Sequence, residues 1–90
     1  MSLIDALPPP FQVVLGCTLS PNGSVGAHVQ EQCAEVLIVT HGKGEARVDG
    51  RPTALKPGVA VALPLGSTLE LKNASKKSPL RYLIIKAVAQ

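Results

Sequence analysis

Residues Gly58–Asn73 read GVAVALPLGSTLELKN, and the way this stretch is punctuated decides the fold. Val59–Leu63 is a short apolar run, Pro64-Leu65-Gly66 is a turn signal, and Thr68–Leu71 is a second short run. Two brief strands joined by a tight connection are the reading that fits. Gly58 and Gly66 permit backbone conformations closed to bulkier residues. Pro64 ends a strand at a point where no amide donor is required.

The rest of the chain is divided in the same way. Pro and Gly recur every eight to twelve residues or so, β-branched residues fill the gaps, and helix signals are nearly absent, a pattern that predicts an all-β sandwich or barrel. Pro8-Pro9-Pro10 is an extended polyproline stretch and reads as part of an N-terminal arm. Phe11–Leu19 is a strand, Pro21-Asn22-Gly23 a turn, and Val25–Gln30 a short strand, with Glu31–Ala34 as a corner. Glu35–Thr40 (EVLIVT) is a continuous apolar run suited to a strand covered on both faces. After the His41-Gly42-Lys43-Gly44 turn come Glu45–Val48, the strong two-residue hairpin signal Asp49-Gly50, and Arg51–Leu55. Asn73–Pro79 is a polar loop with Lys76-Lys77 at its tip, and Leu80–Val88 (LRYLIIKAV) closes the sheet. Eight or nine short strands are expected, with residues 1–21 forming an arm and first strand and 22–90 the barrel of what is overall a single domain.

Ninety residues leave room for one core only. A chain this short buries roughly 60–65% of its unfolded surface, so its stability margin is thin. With 46% hydrophobic residues it carries more apolar material than one small core needs. Self-association through an apolar sheet face is the natural outlet, and a homodimer is the expected state. Cys17 and Cys33 form neither a CxxC redox pair nor a disulfide framework. Cys17 reads as a small core residue, and carboxylates near Cys33 argue against a nucleophilic thiol. No run approaches a membrane-spanning length, and MSLIDALPPPF lacks the pattern of a signal peptide. A cytoplasmic location is the default expectation, with no membrane partner. All nine basic residues lie between Lys43 and Lys86, beside only Glu45, Asp49 and Glu70. They are scattered among strands and turns, and Phe11 and Tyr82 are the only aromatics, which leaves almost nothing to stack on bases and argues against a nucleic-acid surface.

Gly58–Asn73 has the shape G-x(5)-P-x-G-x(2)-H-x(3)-N, filled at every fixed position except the His, where Leu69 stands. Upstream, His28, Gln30, Glu35 and Gly42 follow the shape H-x-H-x(4)-E-x(6)-G, with Gln30 in place of the second His. In order, and separated by the Asp49-Gly50 hairpin, these two patterns resemble the paired motifs of the cupin superfamily over roughly residues 22–88. The resemblance implies a small, RmlC-like jelly-roll β-barrel of two antiparallel sheets with a pocket at its mouth. In that family three His and one Glu at these positions hold a divalent metal.

Carried onto this chain, the candidate metal ligands are His28, Gln30 and Glu35, for Zn, Ni, Fe or Mn. Gln30 offers only a neutral amide oxygen, and Leu69 offers nothing. Two firm ligands and one weak one fall short of the three of a catalytic zinc site or the four of a structural one, so no tightly held metal cofactor is expected. His41, a strand-end turn residue, reads as solvated. Without a metal, Glu35 in an apolar barrel needs a partner, and the simplest is a His28–Glu35 hydrogen bond or ion pair supported by Gln30. The expected ligand pocket comprises His28, Gln30, Glu35, Leu69 and Tyr82.

Three functions compete at this level. The leading one is a metal-free module that binds a small molecule. The others are a metal-dependent, dioxygenase-like enzyme with a degenerate site, and a metal-free sugar isomerase or epimerase using His28 with Glu35. The last would need a basic group for phosphate from Arg47, Arg51 or Arg81.

Overall fold

A computed structural model describes residues 11–31 and 33–88. The Pro8-Pro9-Pro10 arm lies outside the described residues. The chain forms eight strands among the described residues: β1 (Phe11–Leu19), β2 (Ser24–Val29), β3 (Cys33–His41), β4 (Gly44–Val48), β5 (Arg51–Leu55), β6 (Ala60–Leu63), β7 (Thr68–Asn73) and β8 (Leu80–Val88). They make two four-stranded sheets with orders β1-β8-β3-β6 and β2-β7-β4-β5. All described pairings are antiparallel. Eight strands in these orders define a jelly roll.

The turns carry the geometry their residues invite. Asp49 and Gly50 both adopt positive φ, 52° and 80°, as the favoured two-residue hairpin requires. The β4–β5 register follows from it, with Val48 opposite Arg51 and Gly44 opposite Leu55. Gly66 also takes a left-handed conformation, φ 88°, and its amide donates to the Gln30 carbonyl at 2.7 Å while Gln30 donates to Ser67 at 2.8 Å. The two halves of the motif pattern are thus tied to each other through the backbone.

Period-two alternation builds the core. In β7, Leu69 and Leu71 are buried while Glu70 and Lys72 face out. Leu37 and Val39 of β3, Val61 and Leu63 of β6, and Leu80, Tyr82 and Ile84 of β8 meet them between the sheets. Leu15, Cys17 and Leu19 of β1 pack against the same cluster, and β1 pairs along its length with β8.

Two sequence expectations need correction. Cys33 and Ala34 are not a corner. They pair with Val88 and Ala87 and open β3, because the long β8 offers them ladder partners. Nor is the EVLIVT run covered on both faces of the chain. Val36 is 38% exposed and Thr40 is exposed, because only one face of this sheet meets the other sheet. No helix among the described residues is long and apolar enough to cross a membrane.

Candidate ligand cavity between the sheets

A cavity of about 370 Å³ opens between the two sheets, and His28, Gln30, Glu35, Leu69 and Tyr82 all line it. β2 supplies His28, and register sets it directly opposite Leu69 on β7. Opposite residues of an antiparallel pair share a face, so Leu69 fills apolar space beside the imidazole. Gln30 follows β2 and is buried. Glu35 and Tyr82 come from the other sheet, on β3 and β8. Leu15, Leu71 and Ile84 contribute an apolar base.

The polar groups are connected differently from the sequence expectation. His28 and Glu35 share the cavity, but each has another partner. His28 Nδ1 lies 3.2 Å from the Gly26 carbonyl, which can only accept, so Nδ1 carries the proton. Gln30 Nε2, which can only donate, lies 3.5 Å from His28 Nε2. Nδ1 is thus the donor nitrogen of the ring, and Nε2 is the nitrogen that faces the glutamine amide. Glu35 pairs instead with Lys86, whose Nζ is 3.9 Å from its Oε2. The reason is register: Glu35 and Lys86 are direct cross-strand partners on β3 and β8. The Glu35 side chain is 11% exposed and that of Lys86 34%, so the carboxylate sits inside with its counter-charge at the rim.

Lys86 is the site residue that sequence reasoning missed. The signal was present in the phase of β8. Leu80, Tyr82 and Ile84 are buried at alternate positions, and Lys86 continues that phase into the cavity. Cys17 also lines the cavity, opposite Tyr82 in register. Burial raises the Cys17 thiol above its ordinary value, partly offset by the Lys86 ammonium. Burial, and then the neighbouring Cys17, raises the Tyr82 phenol. Both groups are therefore protonated at neutral pH. His41 hydrogen-bonds Thr40 at the surface. Among the described residues no arginine lines the cavity.

These residues do not fit a divalent metal as they stand. Gln30 offers a neutral amide beside His28, the Glu35 charge faces an ammonium, and Leu69 has no donor atom. Among the described residues no group of three His, Cys, Asp or Glu side chains is placed to hold an ion.

A jelly roll with a polar-rimmed cavity between its sheets is the class of protein that the fold and site define. The sequence profile of the cupin domain matches residues 16–86, and the chain belongs to the cupin family. No curated protein shows significant sequence similarity to it. Among solved structures it is similar to a cupin 2 conserved barrel protein from Salinispora arenicola (TM-score 0.82, 24% identity, covering 99% of this chain and 74% of that one). It is also similar to the cupin domain of Schizosaccharomyces pombe Cnp3 (TM-score 0.87, 18% identity, 99% and 59%). A third is a predicted oxalate decarboxylase from Thermotoga maritima (TM-score 0.81, 21% identity, 89% and 69%). At these identities the likeness is one of fold. The chain spans less than two thirds of the Schizosaccharomyces pombe structure it matches.

Proposed function

We propose that this chain is a metal-free cupin module that binds a small molecule in the cavity between its sheets. One observation carries the reading: of the four cupin metal positions only His28 and Glu35 hold metal-ligating side chains, with an amide at Gln30, hydrocarbon at Leu69 and the Lys86 ammonium facing Glu35. The space beside them stays open, with an apolar base. A metal-dependent enzyme would need donor side chains in place of Gln30 and Leu69, and an isomerase acting on phosphorylated sugars would need a guanidinium, which the cavity lining does not hold among the described residues.

Elemental analysis of tag-free protein tests this, before and after incubation with Mn, Fe(II), Ni and Zn. An empty site under every condition is expected. Near-stoichiometric metal that disappears in His28→Ala would overturn the reading and make metal-assisted chemistry the leading function.

We further propose a homodimer through the outer face of the β1-β8-β3-β6 sheet. Register places Val14, Ile85, Val36 and Ala62 in one row across the four strands, and Gly16, Leu83, Ile38 and Ala60 in the next. Neither row holds a charge, and Val36 is exposed. A second copy presents the same uncharged surface, as a two-fold interface requires. Two free cysteines fit a reducing, cytoplasmic compartment.

A further inference from the structure

The cavity holds fixed charge of both signs, and their arrangement narrows the ligand beyond "small molecule". Glu35 and Lys86 face each other at 3.9 Å, beyond hydrogen-bond length, so their attraction leaves room for other partners. Glu31 adds a second carboxylate to the lining. A lone anion entering here would meet Lys86 but also two carboxylates. A lone cation would meet the carboxylates but also the ammonium. Below them Leu15, Val25, Leu69, Leu71 and Ile84 offer only hydrocarbon.

Resting on the small-molecule reading above, we infer that the cavity takes an amphoteric ligand with an aliphatic body, of the class of apolar amino acids. Its carboxylate meets the Lys86 ammonium, its ammonium meets the Glu35 carboxylate, and its side chain lies on the leucine base. Each ligand charge then faces its opposite, and the net charge of the cavity does not change on binding. Gln30 and the Tyr82 hydroxyl add neutral hydrogen-bonding groups in the same lining. A buried charge is retained at low cost only where it is paired and hydrogen-bonded, and a zwitterion supplies both halves at once.

The test compares four probes of one shape on the wild-type protein by amide NMR titration at neutral pH: leucine, isocaproate, isoamylamine and isocaproamide. Leucine is expected to bind at least about tenfold more tightly than the other three, the effect of one charge-assisted hydrogen bond. Lys86→Met should bring isoamylamine level with leucine or past it, and Glu35→Gln should do the same for isocaproate. Equal or tighter binding of isocaproate, isoamylamine or isocaproamide overturns this inference while leaving the cavity reading intact. A leucine preference that survives both substitutions overturns it too, since the charges would then not be what recognises the ligand. If none of the four shifts any cavity resonance, the inference and the small-molecule reading fall together.

Discussion

Asn73→Ala should cost this protein about a quarter of its stability or more, for reasons that lie in four hydrogen bonds. Asn73 is 1% exposed at the end of β7. Its Nδ2 donates to the carbonyls of Leu19 (3.1 Å), Ser20 (3.1 Å) and Ser78 (2.9 Å). Its Oδ1 accepts from the Ser75 amide at 2.9 Å. One side chain thus clamps the end of β1 to the loop that leads into β8. Two N–H groups and one oxygen make about three independent bonds, each worth about 1 kcal/mol net, so alanine should cost about 3 kcal/mol. A domain of this size has about 5–13 kcal/mol in total. At about 5 °C per kcal/mol, Tm should fall by about 15 °C. Asn73→Asp should be no better, because a carboxylate turns oxygen toward three carbonyl oxygens. Far-UV circular dichroism during heating and in urea reads both variants. A Tm loss under about 4 °C for Asn73→Ala would refute the clamp and return Asn73 to the status of an ordinary strand-end residue.

Three other outcomes follow from the same geometry. Gln30→His with Leu69→His places three imidazoles with Glu35, but the Lys86 ammonium competes for that carboxylate. Adding Lys86→Met should therefore raise Ni or Zn affinity about tenfold or more in a calorimetric titration, given about 4 kcal/mol for unit charges at 4 Å near a protein surface. Equal affinity in the double and triple variants would mean that Lys86 does not guard the site. Cys17 and Tyr82 titrate above their ordinary values of 9.0 and 10.0 in the folded state. Folded values raised in this way give stability that is complete below the ordinary values and lost as pH rises through the folded ones. Tm should thus begin to fall above about pH 9, and Tyr82→Phe should soften the decline; a flat alkaline profile would contradict the burial of both groups. Val36→Lys places a charge at the centre of the uncharged sheet face, and sedimentation should show monomers where the parent protein sediments as a dimer.

Much of the fold was legible because it is written in local signals. Asp49-Gly50 and Pro64-Leu65-Gly66 announce their own turn geometry, and the runs Phe11–Leu19, Arg51–Leu55 and Leu80–Val88 coincide with β1, β5 and β8. Where the reading slipped, the deciding partner was distant in sequence. Glu31–Ala34 reads as a corner in isolation, and only the reach of β8 recruits Cys33 and Ala34 into β3. The site shows the same division. His28, Gln30, Glu35 and Leu69 could be named from spacing, because spacing carries the motif. The partner of Glu35 could not be, since pairing with Lys86 depends on which residue of β8 falls opposite it. A one-residue slip would have turned that ammonium to the outer face.

The two departures from the cupin ligand pattern make sense only together with Lys86. Replacing an imidazole by Gln30 sets a neutral amide beside His28 Nε2. Replacing another by Leu69 removes a donor atom and extends the apolar base. Glu35 alone would then be a nearly buried carboxylate without a counter-charge, costly by several kcal/mol, and Lys86 supplies that charge from the neighbouring strand. The contacts inside the cavity are nonetheless long, 3.5 Å and 3.9 Å, while those that hold the surrounding turns are 2.6–3.1 Å, as at Ser67 and Asn73. A ligand that exchanges the long contacts for shorter ones gives up little and gains charge-assisted bonds, whereas one that disturbs the short contacts would have to undo the fold. The turns at Ser67 and Asn73 are therefore held more tightly than the charged groups of the cavity, and the proposed ligand would exchange contacts only with the latter.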